Sequence, residues 1–136
     1  GLKRLGLEGE ATQILEPEDF MPACGQGTIA LEVRTGNQHL SDLLDAVHDR
    51  VTGLRTVAER TVLAILNGSC HSPIGVYATL KNGKMALRAM VAAPDGSVFF
   101  DECSEALVMT EPQAEALGKI VGDRLKARVP SALLEG

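Results

Sequence analysis

Residues 74–91 read Ile-Gly-Val-Tyr-Ala-Thr-Leu-Lys-Asn-Gly-Lys-Met-Ala-Leu-Arg-Ala-Met-Val. Val76, Ala78 and Leu80 alternate with Tyr77 and Thr79, and Met85, Leu87, Ala89 and Val91 resume the same period of two after Lys84. Such alternation marks half-buried strands. Asn82-Gly83 between them is a two-residue hairpin signal, because both residues tolerate the positive φ of a type I′ turn. Pro94-Asp95-Gly96 turns the chain again, and Val98 to Asp101 starts a third strand.

Working outward, the period on either side changes to that of a helix. Before the hairpin, Val51, Leu54, Ala58, Val62 and Ile65 recur at helical spacing and stop at Asn67-Gly68. After it, Thr110-Glu111-Pro112-Gln113 resembles a capping box, followed by a stripe of Ala114, Leu117, Val121 and Leu125. Helix, three-stranded antiparallel meander, helix predicts an α+β domain with helices packed on the sheet.

The first third is less regular. Gly1 to Gly9 reads as the last turns of a helix running into a glycine stop with no N-cap before it, as in the C-terminal piece of a longer chain. Residues 11–15 suggest a short strand, and Glu16 to Gly27 a loop. Ile29, Leu31 and Val33 alternate with Glu32 and Arg34, predicting a strand over 28–34. Leu40, Leu43, Leu44 and Val47 mark a short helix.

The chain has 136 residues, 45% hydrophobic and only 3% aromatic, enough for one aliphatic core. No apolar run reaches the ~18 residues of a membrane span. A net charge of −5 argues against nucleic acid. It leaves anionic small molecules open, since a few local arginines bind them. Three cysteines, Cys24, Cys70 and Cys103, have no regular spacing. They read as reduced thiols of a cytoplasmic protein, not as a disulfide framework. They form no metal-ligand pattern with His39, His48 and His71. Cys24 and Cys103 read as buried or half-buried structural cysteines. His71 is poorly placed to activate Cys70, because adjacent side chains of an extended chain point to opposite faces. On the residues alone, a non-enzymatic α+β binding or interaction module with a structural cysteine stays open.

Three segments carry a more specific resemblance. TVAERTVLAILNGSCHSPIGVYATLKNGKMALRAMVAAPDGS (56–97) resembles the C-terminal domain of the porphobilinogen deaminase, or hydroxymethylbilane synthase, family. PACGQGTIALEVR (22–34) is similar to that family's link from its second domain back to its first, and GLKRLGLEG (1–9) to the helix end before it. The resemblance implies an enzyme that condenses four porphobilinogen molecules into the linear tetrapyrrole hydroxymethylbilane, releasing ammonia at each addition. Its primer is a dipyrromethane cofactor held as a thioether by one cysteine, and Cys70 stands at that position. Ser69 stands where the family usually has a second glycine, and Cys24 where it has a small aliphatic residue. The growing linear pyrrole chain would be a further ligand.

The resemblance assigns residues 1–48 to remnants of the preceding domains with the inter-domain crossover, and 49–136 to the cofactor-attachment domain. It places Gln26 and Gly27 on the crossover bordering the substrate cleft. Arg34 would end a strand of the first domain's sheet, and Arg60 would reach cofactor carboxylates. The catalytic aspartate and most anion-binding arginines belong to an N-terminal region this chain does not contain. No catalytic residue is therefore expected here, nor activity from the chain alone. The 28–34 strand would then either fold back on 49–136 or pair with a second copy in a homodimer.

Overall fold

The structure, a computed structural model, describes residues 1–68 and 72–134. The elements run α1 (Leu2–Leu5), a 3-10 turn (Glu8–Glu10), α2 (Gln38–Asp45), α3 (Arg50–Ile65), β1 (Ile74–Lys81), β2 (Lys84–Ala92), β3 (Phe99–Leu107), α4 (Glu111–Lys126) and a second 3-10 turn (Ser131–Leu133). The strands form an antiparallel meander in the order β1-β2-β3. Asn82 (φ 51°) and Gly83 (φ 77°) make the tight turn between Lys81 and Lys84, which pair directly across it. The register follows from the alternation. Val76, Ala78, Met85, Leu87, Ala89 and Val91 all point inward and are buried.

Helices α3 and α4 cover that inner face. Leu54, Ala58, Val62 and Leu66 of the first meet Ala114, Leu117, Val121 and Leu125 of the second in one aliphatic core. Two of the apolar positions assigned to the α3 stripe lie at its margins: Val51 is exposed and Ile65 half-buried, while Leu66 completes the stripe.

The helices approach closely at Gly118. A Cβ there would lie 2.6 Å from the Ala58 carbonyl oxygen and 2.7 Å from Thr61 Cβ. Gly118→Ala gains about 1 kcal/mol of helix propensity but must push two backbones apart, at about 1–3 kcal/mol. A net loss of roughly 1 kcal/mol is expected, read as a lower urea midpoint. A midpoint equal to or above the parent's would show that the helices can separate freely.

Local signals set the helix ends. Asp49 caps α3 by accepting a 2.6 Å bond from the Thr52 N–H, which holds its carboxyl below the usual range. At the other end Asn67 takes a left-handed φ of 54°. The Asn67 N–H bonds Ala64 O, and the Gly68 N–H bonds Leu63 O. This is a Schellman stop with asparagine in place of glycine. The start of α4 differs from the expected capping box. Thr110 makes no side-chain cap, and Gln113 Oε1 accepts from the Met109 N–H, one residue earlier. Pro112 in the first turn has no N–H to offer, which removes one of the donors such a cap would satisfy.

The first third corrects two expectations. Neither 11–15 nor 28–34 forms a strand. A strand needs a neighbour to complete its ladder, and among the described residues none pairs with 28–34; Ile29 is 87% exposed and Leu31 63%. The helix over 40–47 is present as α2, though Leu40, Leu43 and Val47 are exposed. The glycine stop near the start is also present, with Gly6 at φ 69° closing α1. No helix of the described residues is long and apolar enough to cross a membrane.

Candidate functional site

The loop 17–28 packs onto the edge of β1 and the flank of α3. Ala23 bridges Gly75, and the Val76 N–H donates to Pro22 O at 3.0 Å. Gly75 is required for this approach, since a Cβ there would meet Met21 Cγ at 2.4 Å. Arg88, on the open face of the sheet, donates to Glu18 O at 3.2 Å. These contacts place the turn at Gly25 (φ 69°) and Gly27 (φ 79°), the expected crossover, over the middle of α3.

Glu59 is the clip that fixes it. Only 4% of this residue is exposed. One carboxyl oxygen accepts from the Gly25 N–H at 2.8 Å, the other from the Ala78 N–H at 2.9 Å. The Ala78 N–H sits on the outer edge of β1, where no strand can receive it, so the side chain of Glu59 takes the place of a neighbour. Burial pushes the Glu59 carboxyl up, and the two N–H donors and the Arg55 charge partly oppose this.

Beside Glu59 lies a cavity of about 140 Å³ between the crossover, α3 and β1. Gln26 and Gly27 line it, as do Arg55, Thr28 and Tyr77. Of the residues assigned to a substrate cleft, two are thus brought together. Arg34 and Arg60 are not: both are exposed, and neither lines the cavity. Arg60 lies near Cys24, whose thiol its charge draws down slightly.

Sequence reasoning passed over Arg55 and Glu59, which read as ordinary charged positions of a helix. The available signal was position. Glu59 directly follows Ala58 in the apolar stripe, and Arg55 lies four residues before it on the same face.

Cys70 falls within residues 69–71, outside the described residues, as does His71. The chain on both sides is defined. Gly68 closes α3 beneath the side chains of Leu63 and Ile74, and Ile74 begins β1. The other two cysteines contrast with the role given to Cys70. Cys24 is half-buried, and its thiol is pushed up to about 11, by burial first and then by the charge of Glu59. It stays protonated at neutral pH and is a poor nucleophile. Cys103, expected to be at least half-buried, is exposed, because β3 at that register turns it to the uncovered face opposite Arg88.

Comparison with known proteins gives two family matches in sequence order. Residues 1–42 match the family model described as "Porphobilinogen deaminase, dipyromethane cofactor binding domain". Residues 54–127, which include Cys70, match "Porphobilinogen deaminase, C-terminal domain". The porphobilinogen deaminase of Thiobacillus denitrificans is 38% identical over 135 residues, covering 99% of this chain and 43% of the relative. That of Sorangium cellulosum is 46% identical over 97 residues, 71% of this chain and 32% of the relative. That of the yeast Yarrowia lipolytica is 40% identical over 126 residues, 92% and 37%. The chain thus spans less than half the length of the curated relatives it matches. With its meander, its two covering helices and both family segments in order, the chain belongs to the porphobilinogen deaminase family.

Proposed function

We propose that this chain is the C-terminal region of a hydroxymethylbilane synthase. The full-length enzyme would condense four porphobilinogen molecules into hydroxymethylbilane and release ammonia at each addition. The observation that carries the proposal is the match of two successive porphobilinogen deaminase models to one chain, over 1–42 and 54–127. In this reading residues 1–48 belong to the preceding domains with their crossover, and 49–136 are the cofactor-attachment domain.

Cys70 is the proposed anchor, through a thioether, of the dipyrromethane. That group, when bound, supplies the primer to which pyrrole units are added. The fold suits an anchor of this kind: the Schellman stop of α3 and the start of β1 fix both ends of the short connection that carries the sulfur. The C-terminus of α3 offers carbonyls, which disfavour a thiolate, so the helix does not activate Cys70. Gln26 and Gly27 would border the substrate cleft from the cavity wall; Arg34 and Arg60, both exposed, would reach ligand carboxylates only from outside it. A reducing, cytoplasmic setting keeps such a thiol available.

The isolated chain should not consume porphobilinogen. In this reading the acid/base carboxylate and most of the anion-binding arginines reside in the rest of the parent, so neither proton transfer nor substrate orientation is supplied. Porphobilinogen disappearance assayed on the purified chain and on the full-length parent tests this. Turnover by the parent only is expected, and turnover by the chain would show the machinery to be misplaced. The backbone of residues 29–33, which has no hydrogen-bond partner among the described residues, with Ile29 and Leu31 exposed, also favours a homodimer of the isolated chain through this segment. Light scattering at micromolar concentration reads it directly: a strictly monomeric species rejects the dimer.

A further inference from the structure

Arg55 is unlike the other arginines of this fold. Its Nε is buried and makes no hydrogen bond, and its guanidinium stands 5.4 Å from the centroid of the Tyr77 ring. A buried donor without an acceptor is costly, and a guanidinium cannot relieve that cost by losing its proton. The carboxylate of Glu59 does not satisfy it. Glu59 lies one turn further along α3 and lines the same cavity, yet both its oxygens are committed to the N–H groups of Gly25 and Ala78.

The cavity has the size and the donors for an anion. Its 140 Å³ is far above the ~10–15 Å³ that one water needs, and an acetate-sized group fits. Thr28 and Thr56, whose hydroxyls lie 3.4 Å apart, and Gln26 add neutral donors to its wall. Val76 and the Tyr77 ring form an apolar side, which strengthens a charge-assisted bond. Glu59 sets the charge that is accepted, because a dianion such as phosphate would meet it with twice the repulsion of a monoanion.

We infer that Arg55, with Thr28, Thr56 and Gln26, forms a socket for one carboxylate group, received by the free edge of the guanidinium. Two sources share that chemistry. One is a carboxylate arm of the pyrrole ligand, an assignment that rests on the proposed function. The other is an aspartate or glutamate of the parent outside this chain, which does not depend on that function.

Acetate is the probe for the socket itself. In the ¹⁵N-labelled chain, sodium acetate should shift the Arg55 Nε–H resonance saturably, with half-saturation at roughly 10–100 mM, the range of one or two charge-assisted bonds. Sodium chloride at equal ionic strength should give no saturable shift, and phosphate a weaker one. Arg55→Lys keeps the charge but loses the fork, and should weaken the response of the Thr28 and Thr56 amides to acetate; Arg55→Gln should abolish it. Identical responses to acetate and chloride would overturn the inference.

In the full-length parent, Arg55→Gln separates the sources. A KM for porphobilinogen raised about tenfold, with the dipyrromethane still on Cys70 by mass, assigns the socket to the pyrrole ligand. An unchanged KM with a lowered Tm assigns it to a carboxylate of the parent chain. If neither moves, the inference fails. A parent without any adduct on Cys70 would defeat the proposed function and leave the acetate result standing.

Discussion

Cys70→Ser in the full-length parent should lower porphobilinogen turnover by on the order of 10³-fold or more, the scale on which loss of a covalently acting residue is felt. Serine preserves the shape of the side chain but not its chemistry. A thiol with an ordinary pKa near ~8.5 is a few per cent thiolate at neutral pH, and its soft sulfur bonds readily to an electrophilic carbon. A hydroxyl has no comparable ionised fraction. The fold should survive. The anchor lies in the short connection between the Schellman stop of α3 and the first residue of β1, and exchanging sulfur for oxygen in so small a side chain at a turn costs little packing. Circular dichroism and the urea midpoint should therefore match the parent's, while the rate collapses. Cys24 and Cys103 offer no rescue. Cys24 is held protonated by burial and by Glu59, and Cys103 belongs to a different element, β3, where it is exposed. A Cys70→Ser enzyme with full activity would remove Cys70 from the account.

Glu59→Gln should destabilise the chain by about 2–3 kcal/mol at pH 7. The change is isosteric, but each carboxyl oxygen of Glu59 accepts one backbone N–H. An amide has a single accepting oxygen, so its NH₂ group must face either Gly25 or Ala78, donor to donor. One buried N–H is left unmade, and the crossover loosens from the edge of β1. The pH dependence has a definite sign. Burial raises the folded-state pKa of Glu59 above the ordinary 4.5, so the folded chain binds more protons than the unfolded one between those values. The proton-linked part of Glu59's contribution is therefore fully present below about 4.5 and is lost as pH rises through the raised value, while its two N–H bonds remain above it. A protonated carboxyl keeps a weakly accepting hydroxyl oxygen that an amide lacks. The stability gap between parent and Glu59→Gln should accordingly widen as pH falls from 7 towards 5, in urea titrations at each pH. Equal stabilities at pH 7 would mean that Glu59 does not clip the crossover.

The meander was legible because both its signals are local. Alternation from Val76 to Val91 fixes the buried face, and Asn82-Gly83 admits the turn that sets the register. The helices were legible as stripes, down to the Asn67-Gly68 stop. The 28–34 segment shows where the same logic fails. Its alternation is as clean as that of β1, but a pattern of side chains cannot supply the neighbouring strand whose backbone would pair with it. Gln26 and Gly27 were marked through the resemblance, and the crossover does bring them to a cavity. The residues that build that cavity were hidden for a different reason. Glu59 is a charged residue in a buried position, and only the fold reveals the two N–H groups that make it tolerable there. Arg55 was hidden because an arginine on a helix face looks solvated until Tyr77 and the crossover enclose its Nε.

The central claim is that Cys70 carries the dipyrromethane, and mass spectrometry of the full-length parent tests it most directly. Intact mass should exceed the sequence mass by one dipyrromethane, and peptide mapping should place the whole increment on the peptide containing Cys70, with the Cys24 and Cys103 peptides unmodified. An active parent whose Cys70 peptide is unmodified, or whose increment maps to Cys24 or Cys103, would contradict the account.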